Sequence, residues 1–145
     1  MQVIIISLFL NVHESADVPV LTCCYRLNVQ SVVNKLRELH YMLYAVKPLL
    51  LFIAESWLNM NTPTGCLDPE SCFHVLRCDR KACRGGGMCV FVHKSLQAVQ
   101  IYVTDNYKEL ELLCFDLLCS SKKLCFFCAY RPPSIDRNAH LHLDL

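Results

Sequence analysis

Residues 49–54, "LLLFIA", are apolar at six successive positions, and this run constrains the fold more than any other part of the chain. Side chains alternate between the two faces of a β-strand, so a strand with no polar position must be covered on both sides. The run is too short for an independent helix and is bounded by Lys47 and Pro48 before it and Glu55 after it. It therefore predicts a central strand, and the rest of the chain has to supply a layer for each of its faces.

One layer is predicted just upstream. In "SVVNKLRELHYMLYAV" the residues Val32, Leu36, Leu39, Leu43 and Val46 recur at steps of four and three, the stripe of an amphipathic helix opening at Ser31 and stopped by Pro48. A strand from Val20 to about Leu27 precedes it, giving a strand–helix–strand unit. Downstream, a loop over residues 59–71 leads to the short strands "CFHVLRC" and "MCVFVH". The stretch "LELLCFDLLCSSKKLCFFCAY" then reads as two strands in a hairpin, ended by the prolines of "RPPS". The tail "IDRNAHLHLDL" reads as the beginning of a helix. The predicted class is α/β (α+β).

A chain of 145 residues fits one domain. Residues 1–19 are expected to be a leader and linker: "MQVIIISLFL" resembles a signal-peptide core but has neither a basic start nor a small-x-small cleavage site. The domain proper is expected over 20–145. With 19% charged residues and a net charge of +1, the chain is neither a disordered nor a strongly polyelectrolyte sequence, and global charge names no partner. No apolar run approaches the ~20 residues that a membrane helix needs, so no membrane association is expected.

The eleven cysteines are the compositional outlier. Their number is odd and their spacings irregular, and Cys89, Cys114, Cys125 and Cys128 lie inside apolar runs. Cys125 and Cys128 form the only C-x-x-C, and an offset of three in a strand sends the thiols to opposite faces. Reduced thiols packed as small hydrophobes are the expectation, ahead of a disulfide framework or a zinc site.

A carboxylate at the end of a core strand costs several kcal/mol if it is buried and unpaired, so Glu55 needs a partner, a cation or water. It is one of three polar stations at predicted strand ends: Asn28 in "LNVQS", Glu55 in "AESWL", and Tyr130 with Arg131 in "AYRPPS". Strand ends along one rim are where sites assemble. Each station also has a plain structural alternative: an ion-paired edge carboxylate for Glu55, a turn amide for Asn28 and a strand tyrosine for Tyr130. Between Arg77 and Lys94 lie Arg80, Lys81 and Arg84 with Gly85, Gly86 and Gly87 against the single acid Asp79. Such a segment can hold phosphates by charge and amide N–H groups, and equally can be a solvated turn.

In their order, "LNVQSVVNKLREL", "LLLFIAESWLN", "VLRCDRKACRGGGMCVFV" and "CAYRPPS" resemble the N-terminal part of the endonuclease domain of non-LTR (LINE-type) retrotransposons. That domain belongs to the endonuclease/exonuclease/phosphatase superfamily related to DNase I. The resemblance runs from about residue 20 to 134. It implies part of a DNase I-like four-layer α/β sandwich, its C-terminal strands missing, from an enzyme that nicks DNA by Mg²⁺-dependent phosphodiester hydrolysis. Within it, Glu55 and Asn28 match metal-binding positions, and Asn28 and Tyr130 match catalytic positions around the phosphate. Arg80, Lys81, Arg84, Gly85, Gly86 and Arg131 are the expected contacts to the DNA backbone. A hard Mg²⁺ ion suits carboxylate and amide oxygens and polarises a phosphoryl oxygen. The family's "GDFN" and "SDH" stations do not occur in the sequence. Asp136, His140, His142 and Asp144 of the tail do not replace them, because a tail without supporting strands cannot preorganise a base. A fragment inactive by itself and intracellular, with the nucleus as one candidate compartment, is the expectation. A non-catalytic nucleic-acid-binding module and a small cysteine-rich secreted protein are the alternatives.

Overall fold

The computed structural model describes residues 4–9, 23–81, 85–103, 110–119 and 122–130. The run 49–54 becomes β3 (Leu50–Ala54), buried along its whole length. It pairs in parallel with β2 (Cys24–Asn28) and antiparallel with β5 (Met88–His93), which in turn pairs with β4 (Phe73–Cys78). The first sheet thus has the order β2-β3-β5-β4, and the double-sided apolar run lies inside it, as expected of a central strand.

A second sheet of four antiparallel strands has the order β1-β8-β7-β6, built from β1 (Ile4–Phe9), β6 (Gln97–Ile101), β7 (Glu111–Cys119) and β8 (Lys122–Tyr130). β7 and β8 are the predicted hairpin. Two elements differ from the sequence reading. Residues 4–9, read as part of a leader, form an edge strand whose backbone pairs with β8 from Ile4 opposite Tyr130 to Phe9 opposite Cys125. β6 has no counterpart among the predicted strands.

The alternation of β3 sorts the interior into two cores. Leu50, Phe52 and Ala54 face the second sheet and pack with Val90, Val92, Leu113, Phe115 and Phe126. Leu51 and Ile53 face the other way, where Val32, Leu39 and Leu43 of the helical segment cover them together with Cys89 and Phe91. The order helix, sheet, sheet is an α+β architecture, and each face of the central strand has its cover. Between the sheets the rings of Phe115 and Phe126 stack at 4.8 Å, with Phe52 tilted against both at 6.3 and 6.2 Å. Offset aromatic packing of this kind adds about 1 kcal/mol per pair to simple burial.

The helix expected over 31–46 is divided into a 3₁₀ turn (Val33–Lys35), α1 (Leu36–Tyr41) and a π turn (Met42–Val46). Its start is delayed because the N–H groups of Ser31 and Val32 donate to the carbonyls of Glu55 and Ser56. Its end is set by Lys47, left-handed at φ 53°, whose N–H returns to Met42 O, and Pro48 follows. Among the described residues no helix is long and apolar enough to cross a membrane. Nine cysteines among the described residues are free thiols. Burial pushes the thiols of Cys89 and Cys128 up to about 12 and that of Cys114 to about 11. Cys128 points into the inter-sheet core while Cys125, three residues earlier, lies on the opposite face by the strand's alternation.

Candidate functional site

β2 and β3 end side by side, with Asn28 opposite Ala54. The segment after β3 is held from two directions. On one side it accepts from Ser31 and Val32; on the other, Ser56 and Trp57 donate to the carbonyls of Gly87 and Gly86 at 3.1 and 2.9 Å. Four non-glycine residues here are left-handed: Gln30, Ser31, Glu55 and Trp57, with φ of 47, 83, 55 and 54°. Each such residue costs on the order of 1 kcal/mol, so the flanking hydrogen bonds impose the shape.

Glu55 is buried. Its Oε2 accepts from Trp57 Nε1 at 2.7 Å and from Gly86 N–H at 3.0 Å. A second carboxylate stands close by on the other sheet. Glu111 opens β7 opposite Tyr130, accepts Gly87 N–H at 2.6 Å through Oε2, and pairs with Arg80 through Oε1. Burial raises the carboxyl of Glu111 above the ordinary glutamate value, against the lowering effect of Gly87 and Arg80, and neighbouring Glu55 adds a little. Adjacent amides of one glycine loop therefore serve carboxylates from two different sheets.

This geometry relocates several of the expected contacts. The amide of Gly86, expected to face phosphate, points inward to Glu55. Arg80 is partly buried and engaged by Glu111, although its Nη2 has no hydrogen-bond partner among the described residues. Tyr130 is fully buried in the inter-sheet core, its hydroxyl likewise without a hydrogen-bond partner among the described residues. Asn28 is exposed on the rim, and alternation from Cys24 places it on the inter-sheet side of β2. Lys81 is exposed. Arg84 and Arg131 lie outside the described residues, as do the tail positions Asp136, His140, His142 and Asp144.

Beside the rim opens a cleft of about 660 Å³. Trp57 and Gly85 form one part of its wall, Arg80 and Lys81 supply cations, and Ser31, Asn34, Asn59 and Thr62 supply neutral hydrogen-bonding groups. No acidic side chain is among its described lining residues. The loop that carries Asn59 and Thr62 is held by Arg77, which sequence reading counted simply as one cation of the basic run. Arg77 pairs with Asp79 at 2.5 Å and donates to the carbonyls of Asn59 and Thr62 and the hydroxyl of Thr64, at 2.9, 2.8 and 3.1 Å. A guanidinium with that many fixed acceptors is a loop organiser rather than a ligand contact.

Sequence reading also passed over Glu111. A signal was present: Glu111 stands in step with Leu113, Phe115 and Leu117, the inward series of β7, and a carboxylate in that series must find donors. Among the described residues no group of three or more His, Cys, Asp or Glu side chains could hold a metal ion. Of the two residues expected to hold a hard cation, Glu55 and Asn28, Glu55 already accepts two N–H bonds through Oε2. No family model matches the chain, and no curated protein matches it. The resemblance to retrotransposon endonucleases therefore rests on the quoted motifs alone.

Proposed function

We propose that this rim binds the phosphate backbone of DNA in the manner of a LINE-type endonuclease, on part of a DNase I-like sandwich, and that the chain does not itself cleave. The observation that carries the reading is the cleft: cations, amides, hydroxyls and an indole, with no acid among its described lining, directly beside a buried carboxylate. Arg80 and Lys81 attract phosphate, Asn34 and Asn59 offer amide hydrogen bonds, and Trp57 offers an aromatic surface to a base.

Mg²⁺ is the proposed cofactor, with Glu55 and Asn28 as its protein oxygens; when bound it would polarise a phosphoryl oxygen. Trp57 and Gly86 fix the Glu55 carboxylate in one orientation, and Glu111 fixes Arg80 beside it. Cleavage also needs a base within reach of a water. Glu111 is taken up by Arg80 and Gly87 and faces inward, so it does not serve.

The test combines two assays. Binding to a short DNA duplex is expected to weaken about tenfold between ~50 and ~200 mM salt if two phosphates are contacted. Lys81→Ala should flatten that slope by about one contact. Supercoiled plasmid incubated with Mg²⁺ should stay intact. Salt-independent or undetectable binding would remove the reading, and nicking that vanishes on Glu55→Ala would overturn the non-cleaving part. A second reading, a binding module with no metal role, is favoured by the burial of Tyr130. It predicts binding indifferent to Mg²⁺ and to Glu55→Ala.

A further inference from the structure

The strand that sequence reading missed ends its sheet. β6 pairs with β7 and stands last in the strand order, so among the described strands its outer edge is unpaired. Proteins normally protect such an edge with charge, proline or a bulge. The first sheet does so: Arg26 lies on its edge strand β2 and Arg77 on its edge strand β4. β6 does not. From Ser95 to Thr104 the sequence "SLQAVQIYVT" holds no charged residue, no glycine and no proline, the composition that pairs readily with another strand.

The two faces of β6 differ. Inward, Ala98 packs against the inter-sheet core and Gln100 donates to Arg77 O at 3.1 Å, which pins the strand in place. Outward and beyond, Val99 is 57% exposed, Ile101 37%, Tyr102 86% and Val103 39%, and Leu118 of β7, opposite Gln97, is 39% exposed. These five make up half of the ten large exposed hydrophobic residues described. A rigidly held, uncharged edge thus borders an apolar row.

We propose that β6 pairs antiparallel with β6 of a second copy of this chain. A two-fold axis through Gln100, perpendicular to the sheet, sets Val99 of each copy opposite Ile101 of the other, Gln97 opposite Val103 and Ala98 opposite Tyr102. Residues facing each other across this axis share a face, as pairing requires. Every cross-strand pair is uncharged, so the self-contact carries no like-charge opposition, and the rows formed by Leu118, Val99 and Ile101 join across the axis into one apolar strip. The interface is isologous and closes on itself as a dimer in which two four-stranded sheets run on as one. The proposal is independent of the nucleic-acid reading.

Sedimentation equilibrium and amide hydrogen exchange test it together on the full chain. The protein should sediment as a dimer, and exchange over residues 97–103 should slow as protein concentration rises. Val99→Lys places a charge on a position already exposed, so the variant should retain the wild-type circular dichroism while its dimer affinity falls at least tenfold, and the concentration-dependent protection of β6 should be lost. A protein that stays monomeric at every concentration overturns the proposal. So does a dimer untouched by Val99→Lys, or one in which protection rises over residues 4–9 instead of 97–103.

Discussion

The glycine loop offers a graded test of the rim, because its residues differ in what a methyl group would meet. At Gly86, left-handed at φ 70°, an added Cβ would lie 2.5 Å from Arg80 Nη2 and 2.6 Å from Glu111 Oε1, inside the ion pair. Gly86→Ala therefore carries a backbone cost of about 1–2 kcal/mol and must also displace a partly buried pair, worth about 3 kcal/mol when broken. The sum, about 4 kcal/mol, corresponds to a fall in Tm of about 12 °C for a chain of this size. At Gly85, φ 94°, the nearest atom would be Trp57 Nε1 at an ordinary 3.6 Å. Gly85→Ala thus carries the backbone cost alone, about 4 °C. At Gly65 nothing lies within 4 Å, and Gly65→Ala should change stability by no more than about 0.5 kcal/mol. Thermal and urea unfolding of the three variants, followed by circular dichroism, gives the ranking. If Gly86→Ala melts no lower than Gly85→Ala, the Arg80–Glu111 pair does not occupy the space beside the loop, and the account of the rim fails.

Further outcomes follow from the titrating groups. At about pH 8 the thiols of Cys89 and Cys128, pushed up to about 12, should resist iodoacetamide in the folded protein while exposed Cys23 is labelled; mass spectrometry of the digest reads this, and rapid labelling of Cys128 would contradict its place in the core. Glu111 has its folded pKa raised above the ordinary 4.5. Its contribution to stability is then fully present below about 4.5 and lost as pH rises through the folded value. Urea unfolding of the wild type and Glu111→Gln should accordingly show the wild type losing ground to the variant as pH rises from about 4 to 7, and the opposite trend would refute the burial ascribed to Glu111.

Much of the fold was legible because apolar runs of strand length state their own burial. Residues 49–54 have no polar position and "MCVFVH" has one only at its end, His93, and both became strands buried on two faces. β6 escaped because its alternation uses glutamine and alanine, which carry little hydrophobic signal; its inward side is fixed by a hydrogen bond from Gln100 rather than by burial. The helix was legible as a stripe but not as three kinds of turn, since 3₁₀, α and π spacings all bring residues three to five apart onto one side. At the rim, the position of Glu55 after a core strand announced a carboxylate in need of partners. The partners themselves, Gly86 at a separation of 31 residues and the Arg80–Glu111 pair at another 31, depend on tertiary closure that no local pattern records.

Gly86 and Gly87 are neighbours in the chain, yet one donates to a carboxylate of the first sheet and the other to a carboxylate of the second. Two consecutive peptide units, joined at the Gly86 Cα, thereby form a crosspiece between two layers that also meet through side-chain packing and the hydrogen bond from Gln100 to Arg77 O. Packed apolar layers resist separation but slide with less difficulty, whereas directional bonds from two adjacent rigid peptide planes fix an offset. The loop thus acts as an alignment pin: shear of one sheet over the other at the rim must break one of these bonds, and a ligand that draws either amide or either carboxylate toward itself would loosen that offset.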